Sequence, residues 1–321
     1  MTQIIEACES KTNTTPDFPM GWFSVARSQE LQVGEVQRVH AFDRELALYR
    51  TRSGVPVIQD AFCPHLGAHL GVEGRVVGES LRCPFHGWRF DTSGQCVEIP
   101  YCEEIPERAR IRMWPTAEKN NEIYIWFHPE GKDPLWEIPH VPELENEQWT
   151  APRHSQFEIP IHIQDIAENS CDPVHFQYVH RQPGVPASEV TIDGDGRTMH
   201  LHADMEQAAN PSHLHSTVFQ PGLAIVRTTY GPGAEMVVYN SALPIDRNTT
   251  LLRWQLSVRR EIEDLAGDDV MNGIIEGLSQ DYPIWSNKVH KRKPVFCRGD
   301  GPLVQYRKWV RQFYVDVREI D

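Results

Sequence analysis

Two short stretches, CPHLGAHL at residues 63–70 and CPFHGWRF at residues 83–90, decide the fold of the first part of the chain. The first supplies Cys63 and His65, and the second supplies Cys83 and His86. A glycine follows in each stretch, where the missing side chain allows backbone to come close to a bound group. We therefore expect two turns, each carrying one cysteine and one histidine, to close around a single metal cofactor.

The order of these four residues distinguishes between two cofactors. Two thiolates and two imidazoles suit Zn²⁺, for which Cys₂His₂ is a common structural set. Common zinc fingers, however, pair Cys with Cys and His with His along the chain, whereas each half here supplies one of each. That order suits a [2Fe–2S] cluster with one iron held by both cysteines and the other by both histidines. Zinc remains the alternative, because ligand types do not fully encode the metal. Cys96, Cys102 and the nearby His69 are interpreted as structural residues.

A second motif, D-x-x-H-x4-H, runs from Asp172 through His175 to His180. Residues five positions apart are separated by about 500° on a regular α-helix, so the two imidazoles do not share a helix face. Pro173 disfavours a helical conformation of Asp172, which predicts irregular backbone at this point. The two histidines can converge on a metal only if the chain leaves the helix between them; otherwise they are two surface histidines.

A carboxylate that could complete this second site lies in a helix predicted over residues 268–289, with a proline inside it. Ile274, Leu278, Asp281 and Trp285 follow an i, i+4, i+7, i+11 stripe, which places Asp281 on the buried face. A buried carboxylate is costly unless it is paired or bound to metal. His175, His180 and Asp281 would then form the two-His-one-carboxylate face typical of non-haem Fe(II). The alternative is a salt bridge to a Lys or Arg, or a cap on a kinked helix.

Charge and composition exclude several classes of function. The 321 residues carry a formal net charge of -14, which argues against nucleic acid or an anionic membrane surface as a partner. No run of eighteen apolar residues exists to span a bilayer, and residues 1–15 show no secretory signal pattern. The seven cysteines have no disulfide-framework spacing, so we expect a cytoplasmic protein with some cysteines as metal ligands.

The distribution of strand and helix patterns predicts an α+β protein of two domains. Up to about residue 140, short strands are broken by Gly, Pro and Asp turns, as in a small antiparallel β domain. The Pro-rich stretch at residues 129–142 is the expected boundary. Strands dominate again between about residues 189 and 260, so residues 141–321 are predicted to hold an antiparallel sheet with a few helices.

The chain resembles the oxygenase α subunits of Rieske non-haem iron oxygenases, through the two Cys/His stretches and the E-N-x-x-D-x-x-H-x4-H segment at residues 168–180. The stretches QDYPIWSNK (280–288) and GDGPLVQYRKWVRQFYVDV (299–317) are similar to the oxygenase component of 3-ketosteroid 9α-hydroxylase and to the cholesterol 7-desaturases. The resemblance implies a Rieske [2Fe–2S] domain at residues 1–140. It also implies a helix-grip-like catalytic domain with mononuclear iron at residues 141–321.

The same resemblance implies an assembly and two further functional residues. Asp172 would link His86 of one chain to His175 of the next, so that electrons cross between the subunits of a homotrimer. Asn169 would position a ligand or water beside the iron. The chain has no G-x-G-x-x-G after a strand, so NAD(P)H would be used by a separate reductase, acting directly or through a ferredoxin.

The resemblance implies a monooxygenase that uses O₂ to hydroxylate or desaturate a bulky, apolar, steroid-like substrate. One alternative is hydroxylation or O-demethylation of a small aromatic acid, which would need a cationic anchor such as Arg227, Arg253 or Arg259. Another, from a different class, is an electron carrier with a binding domain. It would use only the first metal site and would leave a buried Asp281 unexplained.

Overall fold

The computed structural model describes residues 17–206 and 211–315. They form two compact units, one of Met20–Pro142 and one of the described residues from Glu143 onward together with residues 17–19. Residues 1–15, on which the expectation about a secretory signal rests, and residues 316 and 317 of the C-terminal motif lie outside the described part. The mainly antiparallel sheets with few helices confirm the predicted α+β class.

The Met20–Pro142 unit is built from three small antiparallel sheets, with strand orders β1-β11-β10, β2-β3-β4-β9 and β5-β6-β7-β8. The EIYIWF sequence of β11 is buried along its whole length, as suits β-branched and aromatic residues in a central strand. The strands are β1 (Gly21–Arg27), β2 (Val36–Ala41), β3 (Arg44–Arg50), β4 (Pro56–Asp60), β5 (Arg75–Val77), β6 (Ser80–Arg82), β7 (Arg89–Phe90), β8 (Cys96–Glu98), β9 (Met113–Trp114), β10 (Thr116–Lys119) and β11 (Glu122–Phe127).

The core of this unit includes the two predicted cysteine ligands. Cys63 and Cys83 are buried in one apolar cluster with residues such as Tyr49, Leu81 and Phe90. Cys63 follows β4, and Cys83 follows β6 directly, so the sheet core fixes where both loops begin.

The second unit contains a seven-stranded antiparallel sheet of order β12-β18-β17-β16-β15-β14-β13. The strands predicted between residues 189 and 260 are thus confirmed. Successive residues alternate between the two faces of the sheet, so each strand presents two different surfaces. The strands are β12 (Arg153–Ile159), β13 (Ala187–Ile192), β14 (Met199–Met205), β15 (Ser212–Gln220), β16 (Leu223–Thr229), β17 (Glu235–Asp246) and β18 (Thr249–Val258).

The helices of this unit differ from the predicted single helix over residues 268–289. The long helix begins at Arg260 and ends at Ser279, and a separate short helix runs over Tyr282–Asn287. Pro283 lies in the first turn of the short helix, where its missing N–H does no harm, but it cannot donate back to Ser279. The helices are α1 (Ile163–Ala167), α2 (His175–Tyr178), α3 (Arg260–Ser279), α4 (Tyr282–Asn287) and α5 (Gly301–Trp309). Across the described residues, no helix combines the length and apolar character needed to cross a membrane.

Two candidate metal centres

The two Cys/His loops of the first unit have the same backbone design. In each, the cysteine N–H donates to the carbonyl five residues later, at 2.9 Å for Cys63 and 2.8 Å for Cys83. The glycine four residues after each cysteine donates back to the cysteine carbonyl, and both Gly67 and Gly87 have φ of 75°. That left-handed conformation favours glycine. The loops therefore present their cysteines and histidines in matching ways.

The four predicted cluster ligands are brought together by these loops. The Cys63 thiol hydrogen-bonds to Cys83, which lowers the pKa of Cys83 because the bond stabilises its thiolate. The His65 and His86 rings are 4.7 Å apart between centroids and are only half-buried. The buried Nδ1 of His65 has no hydrogen-bond partner, which is expected of an imidazole nitrogen that ligates a metal. The donor set fits a cluster with sulfur ligands inside and imidazole edges toward solvent.

The His65 ring is held in place by an aromatic neighbour. Trp88 stacks on it at 4.6 Å between centroids and 5° between planes. The Trp88 indole N–H donates to the Tyr101 hydroxyl at 2.8 Å, which fixes the tryptophan in turn. The other residues interpreted as structural have contacts that suit that role: Cys96 donates to the Glu98 carbonyl, and His69 bonds to Glu45.

The second centre is assembled from distant parts of the chain. The irregular backbone predicted at Asp172 is present: this residue is extended, with φ of -108° and ψ of 97°, between a 3₁₀ turn at Glu168–Cys171 and α2. His180 lies beyond the end of α2. Asp281 lies in the break between α3 and α4 and is 5% exposed. One ligand atom from each of His175, His180 and Asp281 lies within 4.8 Å of the others. His180 Nε2 is 3.3 Å from Asp281 Oδ2.

Hydrogen bonds set the tautomers of both histidines. The Nδ1–H of His175 donates to the backbone carbonyl of Asp172, and His180 Nδ1–H donates to Gln280 Oε1 at 3.3 Å. Both Nε2 atoms are therefore left with a lone pair, as metal ligands require. Gln280 is a positioning residue that the sequence reasoning did not single out, although its place beside Asp281 was the available signal.

Burial and charge act differently on these two imidazoles. Burial lowers the pKa of His175, although the Asp281 and Asp172 carboxylates oppose it. Burial also lowers the pKa of His180, but hydrogen bonding and charge from Asp281 outweigh it, and the net pKa is raised. A cation bound by the two Nε2 atoms and Asp281 would pair with the same carboxylate charge that raises the pKa of His180.

The two residues predicted to assist this centre are in contact with it. Asn169 Nδ2 lies 3.2 Å from Asp281 Oδ2 and 3.3 Å from His175 Nε2. Asp172 Oδ1 accepts the Val174 N–H at 2.9 Å, so its carboxylate caps the turn that carries His175. The Asp172 side chain remains 24% exposed.

A cavity of about 970 Å³ opens onto His175, His180 and Asp281. Its walls are the inner face of the sheet, with Leu223, Val226, Val238 and Trp254 among the apolar side chains, and the facing side of α3. The predicted stripe of Ile274, Leu278, Asp281 and Trp285 lies on this wall despite the break in the helix. The volume is at the upper end of small-molecule sites, which measure about 300–1,000 Å³.

The arginines considered as anchors for an acidic substrate do not line this cavity. Arg227 is paired with Glu143, and Arg259 is paired with Glu235 at 3.0 Å. Arg253 does not line the cavity either. Among the described residues that line it, Arg181 is the one arginine, and there is no lysine. The three candidate anchors of the aromatic-acid alternative therefore lie outside this cavity: strand alternation turns Arg227 and Arg253 to the other face of the sheet, and Arg259 follows the end of β18.

The described residues contain one further buried group of potential ligands, His162, Asp165 and His290. The Asp165 carboxylate already accepts from His290 Nδ1 at 2.8 Å and lies 3.4 Å from Lys288 Nζ. His162 Nδ1 accepts the Gln164 N–H at the start of α1, so the Nε2 of the neutral ring carries the proton and cannot bind an ion. This group is a hydrogen-bonded brace that holds the segment after α4 against α1.

A [2Fe–2S] unit and a two-His-one-carboxylate centre on one chain define the class of Rieske non-haem iron oxygenases. Residues 21–114 match the Rieske [2Fe-2S] domain family, and residues 125–314 match the family of the 3-ketosteroid 9α-hydroxylase C-terminal domain. The chain belongs to the family of Rieske oxygenases that carry this C-terminal domain, and it uses a [2Fe–2S] cluster and a mononuclear iron.

The relatives in this family include enzymes named for two reactions. A cholesterol 7-desaturase of Caenorhabditis elegans is 32% identical over 94% of this chain and 78% of its own length. The oxygenase component of a 3-ketosteroid-9-alpha-monooxygenase from Rhodococcus rhodochrous is 31% identical over 100% of this chain and 88% of its own length.

Solved structures support the fold. Dicamba monooxygenase bound to dicamba superposes with a TM-score of 0.76 at 21% identity, covering 93% of this chain and 98% of that one. The Pseudomonas putida CBB5 NdmA QL mutant with caffeine gives a TM-score of 0.78 at 22% identity, covering 90% and 89%.

Proposed function

We propose that the chain is the oxygenase component of a multicomponent monooxygenase that hydroxylates or desaturates a bulky, apolar, steroid-like substrate. The observation that carries this proposal is the large, mainly apolar cavity that ends at His175, His180 and Asp281. A rigid apolar substrate would bury its surface against the sheet and present one C–H bond to the iron. The names of the relatives point to the same substrate class.

The proposed ligand sets are those that the two centres bring together. Cys63, His65, Cys83 and His86 hold the cluster, and His175, His180 and Asp281 hold the iron. The charge of the mononuclear ligand set, two neutral imidazoles and one carboxylate, suits Fe(II) with positions left for O₂ and water. When bound, this iron supplies O₂ activation, with electrons delivered from the cluster.

The chain's own residues have distinct tasks in this scheme. Gln280 and the Asp172 carbonyl hold the imidazole protons on Nδ1, so that both Nε2 atoms stay available. The Asn169 amide donates to Asp281 and so orients the carboxylate. The apolar walls exclude bulk water from the reacting C–H bond once substrate fills the cavity.

We further propose that electrons reach the iron through Asp172 from a neighbouring copy of the chain in a homotrimer. The Asp172 carboxylate is partly exposed and bonds to the backbone of the turn that carries His175. It could therefore accept a hydrogen bond from a half-exposed cluster histidine, His86, of the neighbouring copy. The electrons would come from a separate NAD(P)H-dependent reductase, directly or through a ferredoxin, in the cytoplasm.

The direct experiment measures O₂ consumption by the cluster- and iron-loaded protein with a surrogate reductase. The substrate panel holds steroids with a 3-keto group, sterols, and small aromatic acids of the dicamba type. Steroid-dependent uptake with a hydroxylated or desaturated product supports the proposal. Uptake with aromatic acids alone would contradict it and would favour the aromatic-acid alternative, with Arg181 as the remaining cation at the cavity.

A further inference from the structure

The outer face of the seven-stranded sheet carries a concentration of histidines that the catalytic scheme does not use. The triplet His-Leu-His occurs twice, at residues 200–202 in β14 and 213–215 in β15. Alternation along a strand puts both histidines of each triplet on one face and the leucines on the other. Leu201 and Leu214 line the substrate cavity, so the histidines face away from it.

The strand register brings imidazoles of the two triplets together. His202 is directly opposite His215, and His200 is opposite Thr217. His200 Nδ1 lies 3.0 Å from His215 Nε2. The Thr217 hydroxyl is 3.4 Å from each of these two nitrogens.

The other nitrogen of His200 is held by a carboxylate. His200 Nε2 lies 3.2 Å from Asp193 Oδ1, just past the end of β13. This bond keeps the proton of the neutral ring on Nε2 and leaves a lone pair on Nδ1, the nitrogen that lies 3.0 Å from His215 Nε2. A carboxylate that holds the far nitrogen of an imidazole is the arrangement found behind metal-ligating histidines.

We propose that His200 Nδ1 and His215 Nε2 form a chelating site for a divalent transition-metal ion that prefers nitrogen ligands in tetragonal geometry, such as Ni²⁺ or Cu²⁺. With metal–nitrogen bonds of about 2.0–2.1 Å, nitrogens at the observed 3.0 Å subtend an angle of about 95° at the ion. That angle suits cis positions of a square-planar or octahedral ion better than the tetrahedral angle preferred by zinc.

The surroundings favour a cation and leave room for further ligands. Asp193 and Asp204 are both about half exposed at this face, and Asp204 is paired with His213 at 2.6 Å. The cation opposite His215 in β16, Arg227, is paired with Glu143. The His202 ring stacks on the His215 ring, with 4.2 Å between centroids and 14° between planes, so His202 is not counted as a ligand. The Thr217 hydroxyl or water would complete the coordination.

The test uses untagged protein with its cluster and iron loaded, titrated with Ni²⁺ as a metal that does not change oxidation state. Metal analysis after gel filtration should find about one nickel per chain with the iron content unchanged. His200→Asn and His215→Asn should each weaken nickel binding at least about tenfold, because each removes a ligand and loss of an outer-shell partner alone costs about 10–100-fold. His213→Asn, on the same face but bonded to Asp204, should bind as the wild type does.

Three results would overturn the site. Nickel uptake matched by iron loss would place the ion at the iron centres, and no uptake at all would show that the site does not bind nickel. Unchanged nickel binding in both His200→Asn and His215→Asn would place the ion elsewhere. Any of these results would mean that the 3.0 Å contact is an ordinary hydrogen bond between two neutral imidazoles. The cluster absorbance and the circular dichroism of each variant show whether it is folded.

Discussion

The side-chain amide of Asn169 donates to Asp281 Oδ2 across 3.2 Å, joining two residues 112 positions apart in the chain. The bond ties the 3₁₀ turn after α1 to the break between α3 and α4. Asn169 Nδ2 is also 3.3 Å from His175 Nε2, so the amide lies against two of the three proposed iron ligands.

Asp281→Ala should remove the mononuclear iron and leave the cluster. Loss of a ligand and its charge would lower the iron content from about three to about two per chain, since the cluster accounts for two. Steroid-dependent O₂ uptake should fall to background. Iron analysis and cluster absorbance check this, with Asp269→Asn on the exposed side of α3 as a control that keeps all of its iron. Full iron content and turnover in Asp281→Ala would refute the ligand role.

Asp172→Asn should keep both metal centres but slow electron transfer between them. Its carboxylate is proposed to connect the centres and not to ligate either one. With the cluster reduced beforehand, its reoxidation in the presence of substrate and O₂ should slow by at least tenfold at unchanged iron content. Stopped-flow absorbance measures this rate. Reoxidation at the wild-type rate would show that electrons take another route.

Gln280→Leu should weaken iron binding without removing a ligand. The substitution releases the proton-bearing Nδ1 of His180, and losing such a partner typically costs about 10–100-fold in metal affinity. Competition with a chelator measures the change. Ser279→Ala is a matched control, because Ser279 bonds only to the Ile275 carbonyl within α3 among the contacts described. Equal affinities for the two variants would contradict the role given to Gln280.

Val226→Phe should narrow the substrate cavity and leave the iron centre intact. Val226 is half-buried on β16 and lines the cavity, so the larger ring would occupy space that a bulky substrate needs. We expect KM for a steroid to rise at least tenfold, with a smaller effect on any compact substrate. Steady-state O₂ uptake tests this, and an unchanged KM would place the substrate elsewhere.

His162 should make the protein less stable as the pH falls below neutrality. Burial lowers the pKa of His162 to about 3, whereas the unfolded chain has a pKa near 6.5. As the pH falls, the unfolded state therefore binds a proton at His162 before the folded state does. The folded state loses stability relative to the unfolded state as the pH falls through about 6.5. Between pH 7.5 and 5.5 this linkage amounts to about 1.4 kcal/mol.

Urea unfolding at those two pH values can isolate this contribution by comparing wild type with His162→Asn. Asparagine keeps a side-chain acceptor at the start of α1 but does not titrate. The variant should lose less stability on acidification than the wild type does. An identical loss in the two proteins would mean that other groups cause the pH dependence. His213→Asn, at an exposed histidine, serves as the control.

Local sequence patterns were sufficient to predict those structural features that depend only on short stretches of the chain. Two Cys/His turns, alternating strands and the stripe containing Asp281 are set by neighbours within about ten residues, and the structure has these features. The helix boundaries around Asp281 were predicted less well. Pro283 interrupts hydrogen bonding there, while the rest of the apolar stripe continues across the break.

The amino-acid sequence by itself thus determined the ligand types, the β-rich first unit and the buried position of a carboxylate at Asp281. Only the tertiary structure decided which imidazole nitrogens are left free of backbone and Gln280 partners, how large the cavity is, and that Arg227, Arg253 and Arg259 lie outside it. It also decided that the two His-Leu-His triplets meet in register on the outer face. These features depend on contacts between segments up to 112 residues apart. Contacts between elements far apart in the chain, such as α3 with β18 and α1 with β17, set these features, and no local periodicity encodes them.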